Sequence, residues 1–394
     1  MLAATRIKRK GSVRMTGQID RATRWDHAGL SDRAALIVQR LLAALPVVLL
    51  ILLLAGIGIA EGATPACRGE SLVPALQAEG KLDEAREKAA AVPNGQGRLF
   101  RIERDGRTAS YLFGTMHMSD PRVLELSPAT ETAFSTSDRL VIETTDITDP
   151  VKSAAMIWQT PELVTLPAGK TLSDYLDPSQ EETLKAALRE KGVPLQSVET
   201  LQPWFLSVGF MMPACEKART EGGALALDAD LARRAEAAGK PVEGLETAVE
   251  QLSAIASIPL KQQMDGFIAV LEIDDALEDV FETMIDLYLK GEVAMILPAV
   301  EAAVPNGGML VGAGEGYDGF EEKVVIERNL RMAERMQPFL EDGASFIAVG
   351  ALHLPGEKGL VALLRERGYT VSRADQADAA QGETGDESVQ RTKK

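Results

Sequence analysis

Apolar and polar positions repeat with a strand or helix period over most of the chain, but two stretches depart from this pattern. Residues 41–60 read LLAALPVVLLILLLAGIGIA, a continuous apolar run without a charge. Residues 375–394 are rich in Asp, Gln, Gly and Lys and are typical of a disordered tail. Between them, residues 61–374 show the mixed periods of a globular domain, in which residues 150–340 are mostly helical.

Strand patterns occur on both sides of this helical middle region. Residues 98–104 and 109–113 alternate around an Asp-Gly turn signal, which predicts a β-hairpin. Residues 139–144 and 345–349 are short apolar runs typical of buried strands. Because strands that alternate with helices build sheets covered by helices, we predict an α/β fold with a central sheet and a largely helical middle region.

One layout occurs twice in the predicted sheet: a strand, a Gly-x-x-His turn, a helix and a further strand. The first copy contains Gly114 and His117, and the second contains Gly350 and His353. Ligands of open α/β sheets bind beyond the carboxyl ends of the strands, which is where both histidines are expected. The third histidine, His27, precedes the apolar run. A single histidine is more often structural, but a shared motif indicates that His117 and His353 belong to one functional site.

Four further residues are candidates for the same site. An imidazole can bind a divalent metal or act as a general base. Glu143, at a strand end, is a candidate third ligand or base, and the alternative is a solvated acid without a role. Glu246 follows a short predicted strand and is the reserve candidate for either role. The period of residues 321–340 places Asn329 on a core-facing helical face and Arg328 at its margin. A buried amide needs partners, so Asn329 can orient a histidine or contact substrate, unless it is a satisfied core residue. Arg328 can hold a substrate carboxylate or an oxyanion.

The distribution of charge indicates where the domain resides. The formal net charge is −16, which argues against a nucleic-acid partner. Residues 1–40 nevertheless contain nine Lys or Arg against three Asp, so they are expected to be a basic cytoplasmic segment. Residues 41–60 are long enough to span a membrane, which predicts a single-pass anchor with the body outside the cytoplasm. The alternative is a cleaved signal peptide, with Met15 as the start, that leaves the body periplasmic or secreted.

Cysteine usage agrees with export. The chain contains two cysteines, Cys67 and Cys215. An even pair in an exported protein predicts one disulfide, and the alternative is two unrelated free thiols.

Five short segments, in their order and spacing, resemble the TraB/GumN family, which includes the Tiki metalloproteases. The segments are residues 111–117 (YLFGTMH), 141–144 (VIET), 244–247 (GLET), 327–332 (ERNLRM) and 349–356 (VGALHLPG). The resemblance covers roughly Cys67 to Val371.

The resemblance implies a fold, a location and an activity. Members are often exported or membrane-anchored, and share a fold with erythromycin-esterase-like and haem-binding lipoprotein families. Tiki proteins are metal-dependent peptidases, which implies a peptide or protein substrate and favours Mn or Co over Zn. Carried over to this chain, His117, His353 and Glu143 form the active centre, with the helix that contains Arg328 and Asn329 as its support.

Three functional interpretations stay open at this point. The first is a divalent-metal peptidase in which His117, His353 and Glu143 or Glu246 are ligands. The second is a metal-independent hydrolase that uses His and Glu on water, as the esterase relatives suggest. The third is a non-catalytic protein that binds a peptide signal or haem through the histidines.

Overall fold

The computed structural model describes residues 67–148, 150–273, 276–304 and 317–375. These residues belong to one compact unit. The predicted basic segment 1–40 and apolar run 41–60 lie outside the described residues, as do residues 376–394 of the predicted tail. Among the described residues, no helix has the length and apolar character needed to cross a membrane.

The centre of the described chain is a six-stranded sheet with strand order β4-β3-β5-β2-β1-β6. The strands are β1 Leu99–Glu103, β2 Ser110–Thr115, β3 Arg139–Ile142, β4 Val242–Gly244, β5 Ser345–Gly350 and β6 Thr370–Arg373. The predicted hairpin is confirmed, because β1 and β2 pair antiparallel with Leu99 opposite Phe113. Strands β4, β3, β5 and β2 run parallel to one another, and β6 pairs antiparallel with β1. The predicted α/β class is therefore confirmed.

The register of the parallel strands brings the predicted site residues to one edge. Strands β2 and β5 are neighbours, and Thr115 pairs with Gly350 at their carboxyl ends. On the other side of β5, strand β3 ends beside it with Ile142 opposite Ala348. The segments that follow these three strands therefore begin side by side.

The helices form most of the remaining structure. They are Val73–Ala78, Leu82–Ala90, Pro121–Leu124, Pro128–Thr136, Pro150–Gln159, Pro178–Glu190, Leu195–Val198, Pro203–Met211, Ala214–Glu221, Leu227–Ala237, Ala248–Ala256, Leu260–Glu272, Leu277–Leu289, Ile296–Ala303, Tyr317–Phe320, Glu327–Arg335, Gln337–Asp342 and Leu360–Glu366. Glu321–Ile326 is a π-helix, and short 3-10 turns are found at Thr145–Thr148, Pro161–Leu163, Leu172–Tyr175, Val293–Met295 and Ala351–His353. Apart from β4, the described elements between β3 and β5 are helical, in line with the predicted middle region.

Apolar side chains cover both faces of the sheet. Along β5, Phe346 and Ala348 pack into one cluster, whereas Ile347 and Val349 pack into another on the opposite face. This two-sided burial is the usual condition of a mostly parallel sheet. A third cluster, which includes Leu184 and Phe267, is the separate core of the helical middle region.

A disulfide closes the start of the described chain onto this middle region. Cys67 and Cys215 are bonded, with their Cα atoms 5.1 Å apart and a sequence separation of 148. The predicted disulfide is confirmed.

Two other expectations require correction. The segment 321–340 is not one regular helix: a π-helix precedes Glu327–Arg335, and a second helix, Gln337–Asp342, begins at the following turn, where Pro338 lacks an N–H. Asp375, which the sequence assigned to the tail, belongs to the folded domain, since it accepts a hydrogen bond from the backbone N–H of Arg98 at 2.7 Å.

Candidate active site

The first histidine follows β2 and is held by a carboxylate from a distant helix. The Nδ1 atom of His117 lies 2.6 Å from Oδ2 of Asp228, in the first turn of Leu227–Ala237. The other oxygen of Asp228 accepts a hydrogen bond from the Thr115 hydroxyl at 2.6 Å. The negative charge of Asp228 raises the pKa of His117 above its ordinary value. The His117 side chain is 63% exposed, so its Nε2 atom is available to a ligand.

The second histidine follows β5 and is held by an amide. His353 is buried, and its Nδ1–H donates to Oδ1 of Asn329 at 2.7 Å. The amide orientation is fixed because Nδ2 of Asn329 donates to the Lys358 carbonyl at 2.9 Å. Burial lowers the pKa of His353 to about 4, which makes the ring neutral at pH 7. Its Nε2 atom therefore presents a lone pair.

Glu143 comes directly after β3, and hydrogen bonds fix both of its carboxylate oxygens. Oε1 accepts from the Gly350 backbone N–H at 2.6 Å, and Oε2 accepts from Arg328 at 2.6 Å and from Gln251 at 2.8 Å. Burial raises the pKa of Glu143, but His353 and His117, both protonated in the acid range where this carboxyl titrates, together with Arg328 and the Gly350 N–H, outweigh burial and bring the pKa to about 2. The carboxylate is therefore ionised. Its Oε1 lies 3.8 Å from Nε2 of His353.

Arg328 connects Glu143 to the other candidate carboxylate, Glu246. Its Nε donates to Oε2 of Glu246 at 2.9 Å, and Arg331 donates to the other oxygen at 3.1 Å. The backbone N–H of Glu246 also donates to the Glu143 carbonyl at 2.7 Å, because β4 ends beside β3. Arg328 is buried, whereas the sequence placed it at the margin of the core-facing helical face. It is buried because it compensates two buried carboxylates.

Three of the predicted residues converge on a space beside Gly350. A methyl group placed on Gly350 would lie 3.2 Å from Oε1 of Glu143, 3.5 Å from Cδ2 of His353 and 3.7 Å from Nε2 of His117. Only glycine leaves this space open. A Cβ on Gly114, in the first motif, would come within 3.0 Å of the Cα of Ala351. Close approach therefore explains both motif glycines, and neither has a positive φ angle.

This space belongs to a cavity of about 280 Å³ at the carboxyl edge of the sheet, called here the catalytic pocket. His117, Glu143, Arg328 and His353 line it together with apolar residues. The other two predicted residues lie behind this lining: Asn329 orients His353, and Glu246 pairs with Arg328. The structure thus brings four of the six predicted residues to the pocket.

Sequence reasoning missed three residues that fix the lining groups: Thr115, Asp228 and Gln251. Asp228 and Gln251 belong to helices that approach the sheet edge from the middle region. The only local signal for Asp228 is its acidic side chain in a first helical turn, which also has a general explanation in the helix dipole.

The donor types at the pocket suit a divalent metal, but they are not assembled as a metal cluster. Each histidine has Nδ1 fixed by a hydrogen bond and Nε2 left for a ligand, which is the usual arrangement of metal-binding imidazoles. Glu143 adds a carboxylate, although Arg328 already neutralises it. Within the part of the chain that the structure describes, no three His, Cys, Asp or Glu side chains are gathered closely enough to hold an ion.

The sequence also matches a known protein family. The chain matches the TraB/PrgY/gumN family over residues 98–373, which is more than half of its length. The protein belongs to this family.

Individual relatives add detail. The chain is 27% identical over 316 residues to "Metalloprotease TIKI1" of Danio rerio, a match that covers 69% of this chain and 62% of the relative. It is 25% identical to "Metalloprotease TIKI1" of Homo sapiens, covering 70% and 61% of the two chains. It is also 24% identical to "Uncharacterized protein YbaP" of Shigella flexneri, covering 66% and 89%. The chain thus spans less than two thirds of the length of the metalloproteases it matches. No solved structure gives a significant match.

Proposed function

We propose that this protein is a peptidase whose catalytic pocket hydrolyses a peptide bond held beside Gly350. The observation that carries the proposal is the convergence of Nε2 of His117, Oε1 of Glu143 and the His353 ring on one open space. The metalloprotease relatives support a protein or peptide as the substrate.

The environments of the two histidines suit different tasks in hydrolysis. His353 is neutral, so its Nε2 can accept a proton from an attacking water or hold a ligand through its lone pair. The ionised Glu143, at 3.8 Å, stabilises positive charge on that ring. His117, with its pKa raised by Asp228, can donate a hydrogen bond to the oxygen of the scissile carbonyl. Arg328 holds Glu143 in place by a charge-assisted hydrogen bond.

A divalent metal fits the same residues by donor type. The ion would be held by Nε2 of His117 and His353, with Glu143 as the oxygen ligand, and when bound it supplies Lewis-acid activation of water and carbonyl. The resemblance to Tiki proteins leads us to propose Mn or Co. Glu246 is not proposed as a ligand, because its buried side chain is already paired with Arg328 and Arg331.

A second candidate is a metal-independent hydrolase that uses the same residues. It is favoured by the ion pair between Arg328 and Glu143, since an arginine on that carboxylate takes the place a cation would occupy. Both candidates predict a hydrolase, and they differ in their response to chelation.

The test is a peptide-library cleavage assay on the full-length protein. The protein is assayed after chelation and again with Mn²⁺ or Co²⁺ restored. We expect the protein to cleave a subset of the peptides and Glu143→Gln to abolish this cleavage. In the first candidate, chelation stops cleavage and added metal restores it. In the second candidate, chelation has no effect on cleavage. His117→Ala should abolish cleavage as well, and His27→Ala is its matched control, since it removes a histidine outside the motifs. The proposal fails if no peptide is cleaved, or if Glu143→Gln retains full activity.

We also propose that the domain lies outside the cytoplasm, anchored through residues 41–60 or released after their cleavage. The Cys67–Cys215 disulfide supports this location, since such bonds persist in oxidising compartments. An alkaline phosphatase fused to the C-terminus should be active. An inactive phosphatase together with a fluorescent cytoplasmic reporter at the same position would contradict the proposed topology.

A further inference from the structure

A second, larger cavity adjoins the catalytic pocket. It measures about 380 Å³, within the range of small-ligand sites. None of the described residues that line it is charged, and most are apolar. Phe281, Met284 and Leu352 line both cavities, so the two share a wall.

The helix Ala248–Ala256 links the catalytic carboxylate to this apolar cavity. Gln251 donates to Glu143 at 2.8 Å, and Ile255, one turn later on the same face, lines the cavity. The second Gly-x-x-His motif also links the catalytic pocket to the apolar cavity, because Leu352 lies between Gly350 and His353. A group in the apolar cavity is therefore a short distance from the reacting centre.

The apolar surface of the cavity is incompletely covered in the described structure. No residue of Ala248–Ala256 is buried, although the helix contains Leu252 and Ile255. Val208, which also lines the cavity, is 56% exposed. Exposed apolar surface that continues into a concave site is typical of a ligand groove.

We propose that this cavity, called here the apolar subsite and lined by Trp204, Val208, Ile255, Val270, Phe281 and Leu352, receives a large apolar side chain of the peptide substrate next to the cleaved bond. This inference rests on the proposed peptidase function and names its substrate class. The occupant must place a polar scissile group beside Glu143 and an apolar group a few bonds away. A peptide bond flanked by a large apolar residue meets both conditions.

The first test compares short peptides that differ in one residue next to the cleaved bond. We expect kcat/KM to be roughly tenfold higher with Leu or Phe than with Ala, because burying such a side chain is favourable by that order. An equal rate for Ala, Leu and Phe peptides would overturn the subsite.

The second test fills the subsite by substitution. Ser207 lines it, and its hydroxyl bonds only the Pro203 carbonyl of its own helix among the contacts described. Ser207→Phe should bring the Leu-to-Ala preference close to one. Ser135→Phe is the matched control, because Ser135 is exposed and bonds the carbonyl of Thr132 in its own helix. An unchanged preference in Ser207→Phe would contradict the proposal. Ile255→Ser, on a helix without buried residues, is the second variant and should also reduce the preference.

A binding measurement separates the subsite from the catalytic proposal. The probes are fluorescein-labelled peptides in which a methylene amine replaces the scissile amide, with Phe or Ala beside it. Tighter binding of the Phe probe, lost in Ser207→Phe, supports the subsite even if no peptide is cleaved and the peptidase proposal fails. Cleavage without any preference overturns the subsite and leaves the peptidase proposal standing. The subsite is also overturned if neither probe binds, or if a fatty acid displaces the Phe probe and the Ala probe equally.

Discussion

Replacing Arg328 by methionine should destabilise the protein far more than replacing Arg335, on the same helix. The Arg328 side chain is 8% exposed and pairs with two carboxylates, Glu143 at 2.6 Å and Glu246 at 2.8 Å. The Arg335 side chain is 42% exposed and pairs with Glu250 at 2.7 Å. Removing one partner of a buried ion pair costs about 3–5 kcal/mol, because it leaves buried charge uncompensated. Exposed pairs contribute about 0–1 kcal/mol.

The pH dependence of this difference follows from Glu143. Its folded pKa is about 2, below the ordinary value of 4.5, so the ion pair stabilises the fold above pH 4.5 and the stabilisation is lost as pH falls toward 2. The deficit of Arg328→Met should therefore be full at neutral pH and smaller in acid. Arg328→Lys should be intermediate, since an ammonium lacks the planar fork that serves two carboxylates.

Equilibrium urea unfolding of the wild type and both variants measures the effect. From the magnitudes for buried and exposed pairs given above, Arg328→Met should lose roughly 2–3 kcal/mol more free energy of unfolding than Arg335→Met, or a larger amount. The variant Arg328→Met with Glu246→Gln should recover part of the loss. If Arg328→Met and Arg335→Met lose the same stability, the buried ion pairs do not hold Glu143 and the electrostatic account of the pocket is wrong.

Three further predictions concern the disulfide, His117 and Gly350. Replacing Cys67 and Cys215 by Ser should lower the free energy of unfolding by up to about 5 kcal/mol, because the bond joins residues separated by 148 positions. Reductant should lower the free energy of unfolding of the wild type by the same amount. An unaltered melting temperature in the variant or the reduced protein would argue against the bond. Asp228→Asn should lower the pKa of His117 toward 6.5, as followed by an NMR titration of its ring, since the Asp228 charge is the main cause of the elevation; an unchanged titration would refute that cause. Gly350→Ala should abolish peptide hydrolysis with the fold intact by circular dichroism, because its methyl group would lie within 3.7 Å of His117, Glu143 and His353; full activity would show that the space is not used.

The sequence was sufficient for the residues that follow strands. His117, Glu143 and His353 each lie within three residues of the end of a short apolar strand, and parallel strands end at a common edge. Their meeting therefore follows from local pattern and sheet geometry. The disulfide was predictable for a different reason, since two cysteines allow only one pairing.

The sequence was insufficient for the residues that hold these side chains. Asp228 and Gln251 come from helices whose position against the sheet depends on packing over long sequence distances. Periodicity placed Arg328 at the margin of the core-facing face of its helix, but burial beside two carboxylates is decided by β3 and β4. For the same reason, the sequence offered Glu246 in reserve for the roles of Glu143, although Glu143 lines the pocket and Glu246 lies behind it.

The most direct test of a shared active centre is a double-mutant cycle on peptide hydrolysis by the full-length protein. His117→Ala, His353→Ala and the double variant are compared with the wild type on one cleaved peptide. Residues that act as a unit lose their effect together, so the double variant should be no slower than the slower single variant. If the losses in kcat/KM multiply, or if either single variant keeps full activity, His117 and His353 do not form one catalytic centre.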